Sequence, residues 1–131
     1  MTLIERIFNP QALTALYKNE LPLDGAELVE IQMKRDEPRL MVRLMTTDKP
    51  TSSPNRWPKD YDVVSISLSF IGVRKLSINQ WGHDNTEATF QFTSEDGAAS
   101  VTIDCKNGAS LTFVCDWVRV EGVTYGHLGS P

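Results

Sequence analysis

After one short stretch at helical spacing, apolar and polar positions alternate with period two along most of this chain. Leu13, Leu16 and Tyr17 fall on one face of a helix. Asn9 precedes them as an N-cap, whose side chain accepts from a first-turn N–H, and Pro10 suits the first helical position, where no N–H is needed. Phe8 and Leu13 are spaced for a hydrophobic staple. Pro22 and Gly25 stop the helix by about residue 20. A helix over residues 9–19 is short and needs a larger element to pack on. Beyond Gly25, Val29, Ile31 and Met33 alternate with Glu30 and Gln32. Leu40/Val42/Leu44, Val64/Ile66/Leu68/Phe70, Leu76/Ile78, Ala88/Phe90/Phe92, Val101/Ile103/Cys105 and Leu111/Phe113/Cys115/Trp117 continue the pattern. Seven or eight short strands joined by turn signals read as antiparallel β. Residues 46–60, with Pro50, Pro54 and Pro58, form the one long connection.

Turn chemistry sets the register, because a one-residue slip moves every side chain to the other face. Asp96-Gly97 as a two-residue turn pairs Phe92 with Val101, Phe90 with Ile103 and Ala88 with Cys105. A two-residue turn at Asn107-Gly108 would set Ile103 against Thr112, so the spacing selects a three-residue loop, Lys106-Asn107-Gly108. That loop pairs Ile103 with Leu111 and Val101 with Phe113. A turn centred on Asp36-Glu37 pairs Met33 with Leu40, Ile31 with Val42 and Val29 with Leu44. Glu37 precedes Pro38 and is biased to extended backbone, which widens this turn. The expected fold is α+β: a mostly antiparallel sheet, strongly curved or partly closed into a barrel, with the N-terminal helix packed on it.

Length and composition fit one domain over residues 1–131 with an ordinary core: 40% of residues are apolar and 23% charged. Residues 126–131 read as a loose tail. A net charge of −4 argues against a general nucleic-acid binder. Glu5 and Arg6 interrupt the N-terminus before an apolar signal forms, and the apolar runs are too short to span a membrane. Cys105 and Cys115 have no CxxC spacing, which fits reduced thiols and a cytoplasmic protein. Both fall on the core face as small hydrophobes, too far apart to bridge.

Candidate chemistry is sparse. His83 lies beside Asp84 in a loop and reads as solvated, and His127 lies in the tail. No nucleophile, phosphate-loop, dinucleotide or metal motif is present, so no catalytic residue, cofactor or metal is expected. Trp117 continues the inward stripe and reads as core, Trp57 as folded back onto the sheet, and Trp81 as a strand-end residue before Gly82. Ser65, Ser67 and Ser69 make a solvated or closely covered face, and Met41 and Met45 suggest cover over that side of their strand. Residues 76–131 hold seven acids and two bases. Glu87, Asp104 and Asp116 point away from the core in this register, which reads as an acidic solvated face or one that steers a basic partner.

The order of these segments resembles a bacterial family, immunity protein 50, of polymorphic toxin systems. The resemblance runs from Asn9 to about Val120 and rests on Asn9-Pro10-Gln11-Ala12-Leu13 with Tyr17, then Leu21-Pro22 and Arg35-Asp36-Glu37-Pro38. It continues through Trp57, the Val64-to-Phe70 strand with Gly72-Val73, and Trp81-Gly82. The Asp36-Glu37-Pro38 turn is similar to one where relatives carry Asp-Gly-Pro. The resemblance implies a cytoplasmic protein that binds and neutralises a cognate toxin; with no catalytic group in view, occlusion without chemistry is the expected mode. Under that reading Asp84, Glu87, Asp104 and Asp116 are the expected partner contacts, with Trp81 as aromatic anchor. Two other functions compete: a small-ligand carrier enclosing an apolar cavity, and a hydrolase built on His83 and Asp84.

Overall fold

The Asp96-Gly97 turn closes on the expected register. In the computed structural model, which describes residues 6–17, 23–47, 57, 60–82 and 84–126, both turn residues take positive φ, +48° and +82°. They join β5 (Ala88–Glu95) to β6 (Ala98–Cys105), and Phe92 faces Val101 while Phe90 faces Ile103. The three-residue loop also holds: Gly108 has φ +94°, and Ile103 meets Leu111 on β7 (Ser110–Cys115). β1 (Glu27–Lys34) and β2 (Arg39–Thr46) pair Met33 with Leu40 and Ile31 with Val42. The third expected pair shifts: a bulge at Val29 sets Leu28, not Val29, against Leu44. Met33, expected on the inward stripe, is 62% exposed, because β1 is an edge strand and its end projects past the core.

Among the described residues, eight strands form two antiparallel sheets, not one curved sheet. Sheet A runs β1-β2-β3-β8, with β3 at Val63–Ile71 and β8 at Trp117–Gly126. Sheet B runs β4-β7-β6-β5, with β4 at Arg74–Asn79. The inner faces share one core, in which Leu40, Val42, Leu44, Ile66 and Leu68 of sheet A join Val101, Ile103 and Leu111 of sheet B. Phe70 and Phe113 link the layers edge to face, with ring centroids 4.9 Å apart. The described residues form no closed barrel. They are stitched at one corner, where residues 25–28 also bond to the start of β5 while Glu27 and Leu28 stay paired with β2. Ala88 N–H donates to the Ala26 carbonyl (2.8 Å), and Leu28 N–H donates to the Thr86 carbonyl (3.0 Å). The bulge at Val29 lies just beyond this doubly bonded stretch and bends β1 there.

Two tight crossings explain the division into sheets. The chain passes from β3 to β4 through Gly72-Val73 and returns from β7 to β8 through Asp116. Gly72 has φ +75°, and a Cβ there would overlap the Asp116 carboxylate, so this position requires glycine. The Asp116 break also reverses the inside–outside alternation. Val118 and Val120 turn inward, and Trp117, expected in the core, is 41% exposed.

The helix α1 (Gln11–Tyr17) packs against β8 and buries Leu13 and Tyr17 in the core. Its entry differs from the expected cap and staple. Asn9 turns its amide to β8, donating from Nδ2 to the Val120 carbonyl (2.9 Å) and accepting the Val120 N–H at Oδ1 (2.9 Å). It adds a rung beside the Ile7–Val118 bridge, where the Phe8 N–H donates to the Val118 carbonyl (2.9 Å). Phe8 is 56% exposed and stacks on Trp117 at 5.0 Å instead of pairing with Leu13. Trp57 is folded back as expected, against Tyr61 and Tyr125. On β3, Ser69 is fully buried, and its hydroxyl has no hydrogen-bond partner among the described residues. The Leu16 side chain, Leu21-Pro22, Pro50, Pro54, Pro58, His83, His127 and the tail 127–131 lie outside the described residues.

Glu37 has φ +101°, which strains any residue with a Cβ. Glu37→Gly is therefore expected to stabilise the protein by about 1 kcal/mol, the relief of strain exceeding the added chain entropy of glycine. A higher midpoint in urea unfolding with an unchanged slope checks this.

Candidate functional site

One end of sheet B gathers most of the expected site. Asp104 on β6 sits in a row with Ser110 of β7 and Asn79 of β4, on the outer face. Immediately past Asn79, the chain leaves β4 through Gln80, whose φ of +54° turns it out of the strand. Trp81 follows at 47% exposure, with no ring contact among the described residues. Asp84 is exposed in the connection to β5. Asn107 N–H donates to the Asn85 carbonyl (3.0 Å), and Lys106 N–H donates to the Glu87 carbonyl (3.0 Å), so this connection is tied to the β6–β7 loop.

Charge at this end is mostly negative. Glu87 forms a 2.7 Å ion pair with Lys106. The corner stitch adds a carboxylate that sequence reasoning missed. Glu27 faces Glu87 across an isolated antiparallel bridge, and among the described residues its side chain makes no ion pair. Like charges directly opposite repel, and Lys106 relieves one of them. Asp104 likewise makes no ion pair among the described residues. A cleft of about 490 Å³ opens beside the bridge, lined by Glu27, Leu28, Val29, Trp81, Gly82 and Thr86. A smaller one, about 150 Å³, lies beside Met45, Thr46 and Val63 and shares Glu27. Glu27 was legible only as a polar residue at a strand start, since its neighbours depend on the corner where β1 meets β5.

Asp116 is not part of this group. It lies at the other end of β7, where Arg74 Nη1 donates to its carboxylate (3.1 Å) and to the Gly72 carbonyl (2.8 Å). Near it lies a second exposed aromatic group that the sequence did not reveal. Trp117 is stacked on by Phe8, and the Arg6 guanidinium sits 5.6 Å from its ring centroid. Arg6 also donates to the Gly97 (2.8 Å) and Asp116 (3.2 Å) carbonyls.

Neither cysteine offers chemistry at this site. Both are buried and free. Burial, helped by the neighbouring Asp116 charge, pushes the Cys115 thiol up to about 11. Burial and Asp104 raise Cys105 as well. Two thiols should titrate in denaturant without reductant, and Cys115 should resist alkylation in the native protein at pH 8. Because its folded value lies above the 9.0 of an unburied thiol, the native state holds the proton more tightly. Its contribution is intact below pH 9 and is lost as pH rises toward about 11. Cys115→Ala should flatten that part of the stability–pH curve, measured by urea unfolding. Among the described residues no group of three or more His, Cys, Asp or Glu side chains could hold a metal ion. No described helix is long and apolar enough to cross a membrane.

The family model of immunity protein 50 matches residues 9–126. The chain belongs to the immunity protein 50 family. Membership places it among immunity proteins of toxin systems, a role that implies a protein partner and suggests binding in place of catalysis. The match begins at Asn9, the residue whose side chain bonds to β8, and extends through β8, so both sheets and α1 lie inside the family's shared region. No curated protein and no solved structure matches the chain.

Proposed function

We propose that this protein neutralises a cognate toxin in the bacterial cytoplasm by binding and occluding it, without chemistry of its own. The observation that carries the reading is the family match over nearly the whole chain. The geometry supports one interface in particular. Trp81 supplies an exposed aromatic anchor, and Asp84, Glu87 and Asp104 supply negative charge around it. A toxin domain that attacks nucleic acid carries positive charge, and such an end would draw it in. Asp116 is engaged with Arg74 at the sheet crossing, so it serves the fold in this reading.

Fast capture protects the producing cell, and steering by charge is how a small binder gains speed. The triple variant Asp84→Asn, Glu87→Gln, Asp104→Asn should slow association with the cognate toxin domain. A roughly ten-fold loss at low salt is expected, shrinking as salt screens the field. Stopped-flow mixing at several ionic strengths measures it. An association rate indifferent to both salt and the three changes would remove this interface.

A further inference from the structure

We infer that the cleft between β1 and Trp81 seats an arginine side chain of the partner, with the guanidinium on the Trp81 ring and paired to Glu27. The inference rests on the toxin-binding reading and names the chemistry recognised at that site. Three independent features converge on it. The cleft, at about 490 Å³, has room for a long side chain. Val29, half-buried, lines one wall and suits an aliphatic stem. The Trp81 ring and the Glu27 carboxylate line the same cleft, and each lacks a partner of its own among the described residues. A planar cation that stacks on an aromatic face and pairs with a carboxylate is the complement of that pair.

The molecule carries the same pairing elsewhere. Its other exposed tryptophan, Trp117, has the Arg6 guanidinium 5.6 Å from its centroid, and Arg6 is anchored on carbonyl oxygens. Trp117 satisfies its ring within the chain, whereas Trp81 presents the equivalent surface to solvent. Glu27 also gains from a cation in the cleft, because it faces the Glu87 carboxylate across the bridge.

The probe is N-acetyl-arginine methylamide, titrated into the whole protein while the three tryptophan indole N–H resonances are followed by NMR. Trp81→Phe assigns the Trp81 signal, and buried Trp57 and covered Trp117 serve as internal controls. Saturable movement of the Trp81 resonance in the millimolar range is expected. The neutral isostere, N-acetyl-citrulline methylamide, should bind roughly three-fold more weakly, and Glu27→Gln should weaken the arginine probe by a similar factor. An unmoved Trp81 resonance, equal binding of the citrulline probe, equal binding of a lysine analogue, or indifference to Glu27→Gln overturns the inference. Toxin inhibition is measured separately on the same proteins. Inhibition without arginine binding overturns the cleft and leaves the toxin reading standing. Arginine binding without inhibition supports the cleft and counts against that reading.

Discussion

Phe70→Ala is expected to lower the unfolding free energy by about 4 kcal/mol. Phe70 is fully buried on β3, and its ring meets Phe113 of the opposite sheet at 4.9 Å. Removing it deletes buried apolar surface and leaves a cavity that two stiff sheets cannot close. Against a typical total of roughly 5–15 kcal/mol, that is a large share. Urea unfolding monitored by tryptophan fluorescence measures it. A loss under about 1 kcal/mol would mean that the sheets do not depend on this contact.

The second large effect concerns binding. Trp81→Ala should weaken the complex with the cognate toxin by about thirty-fold, the loss typical of a central aromatic anchor at about 2 kcal/mol. The fold should be nearly unaffected, because Trp81 is 47% exposed and follows the end of β4. Trp117→Ala is the comparison. It removes an equally large exposed ring, but one engaged with Phe8 and Arg6 within the chain, and it should cost stability more than affinity. Calorimetric titration of both variants separates the two rings. Equal losses of affinity would place the interface across both ends of the molecule.

The hairpins were legible because local turn chemistry and the apolar alternation have to agree. Asp96-Gly97 and Lys106-Asn107-Gly108 each admit one register that keeps Ile103 among apolar partners, and both registers hold. What the sequence did not carry was the partition of strands between sheets. A period-two pattern reports which side chains face inward but not which layer a strand joins. Trp117 shows the consequence. Counting by twos from Leu111 sends it inward, but Asp116 is a crossing point and the count restarts on the other sheet. Phe8 and Asn9 were misplaced for a related reason. Their local spacing suits helix capping, yet β8 offers Asn9 the backbone of Val120 and offers Phe8 the ring of Trp117. Within the site, Trp81 and the acids were visible as residue types. Glu27 joins them through a corner bridge that depends on the tertiary fold.

Neutralisation by occlusion requires stoichiometric inhibition. The cognate toxin domain is assayed for its own activity while the purified protein is titrated in. Toxin activity should fall linearly to nothing at one molar equivalent, with a stable complex of the two chains and the toxin recovered intact on dissociation. Full toxin activity in a several-fold molar excess of this protein, with no complex formed, would contradict the account.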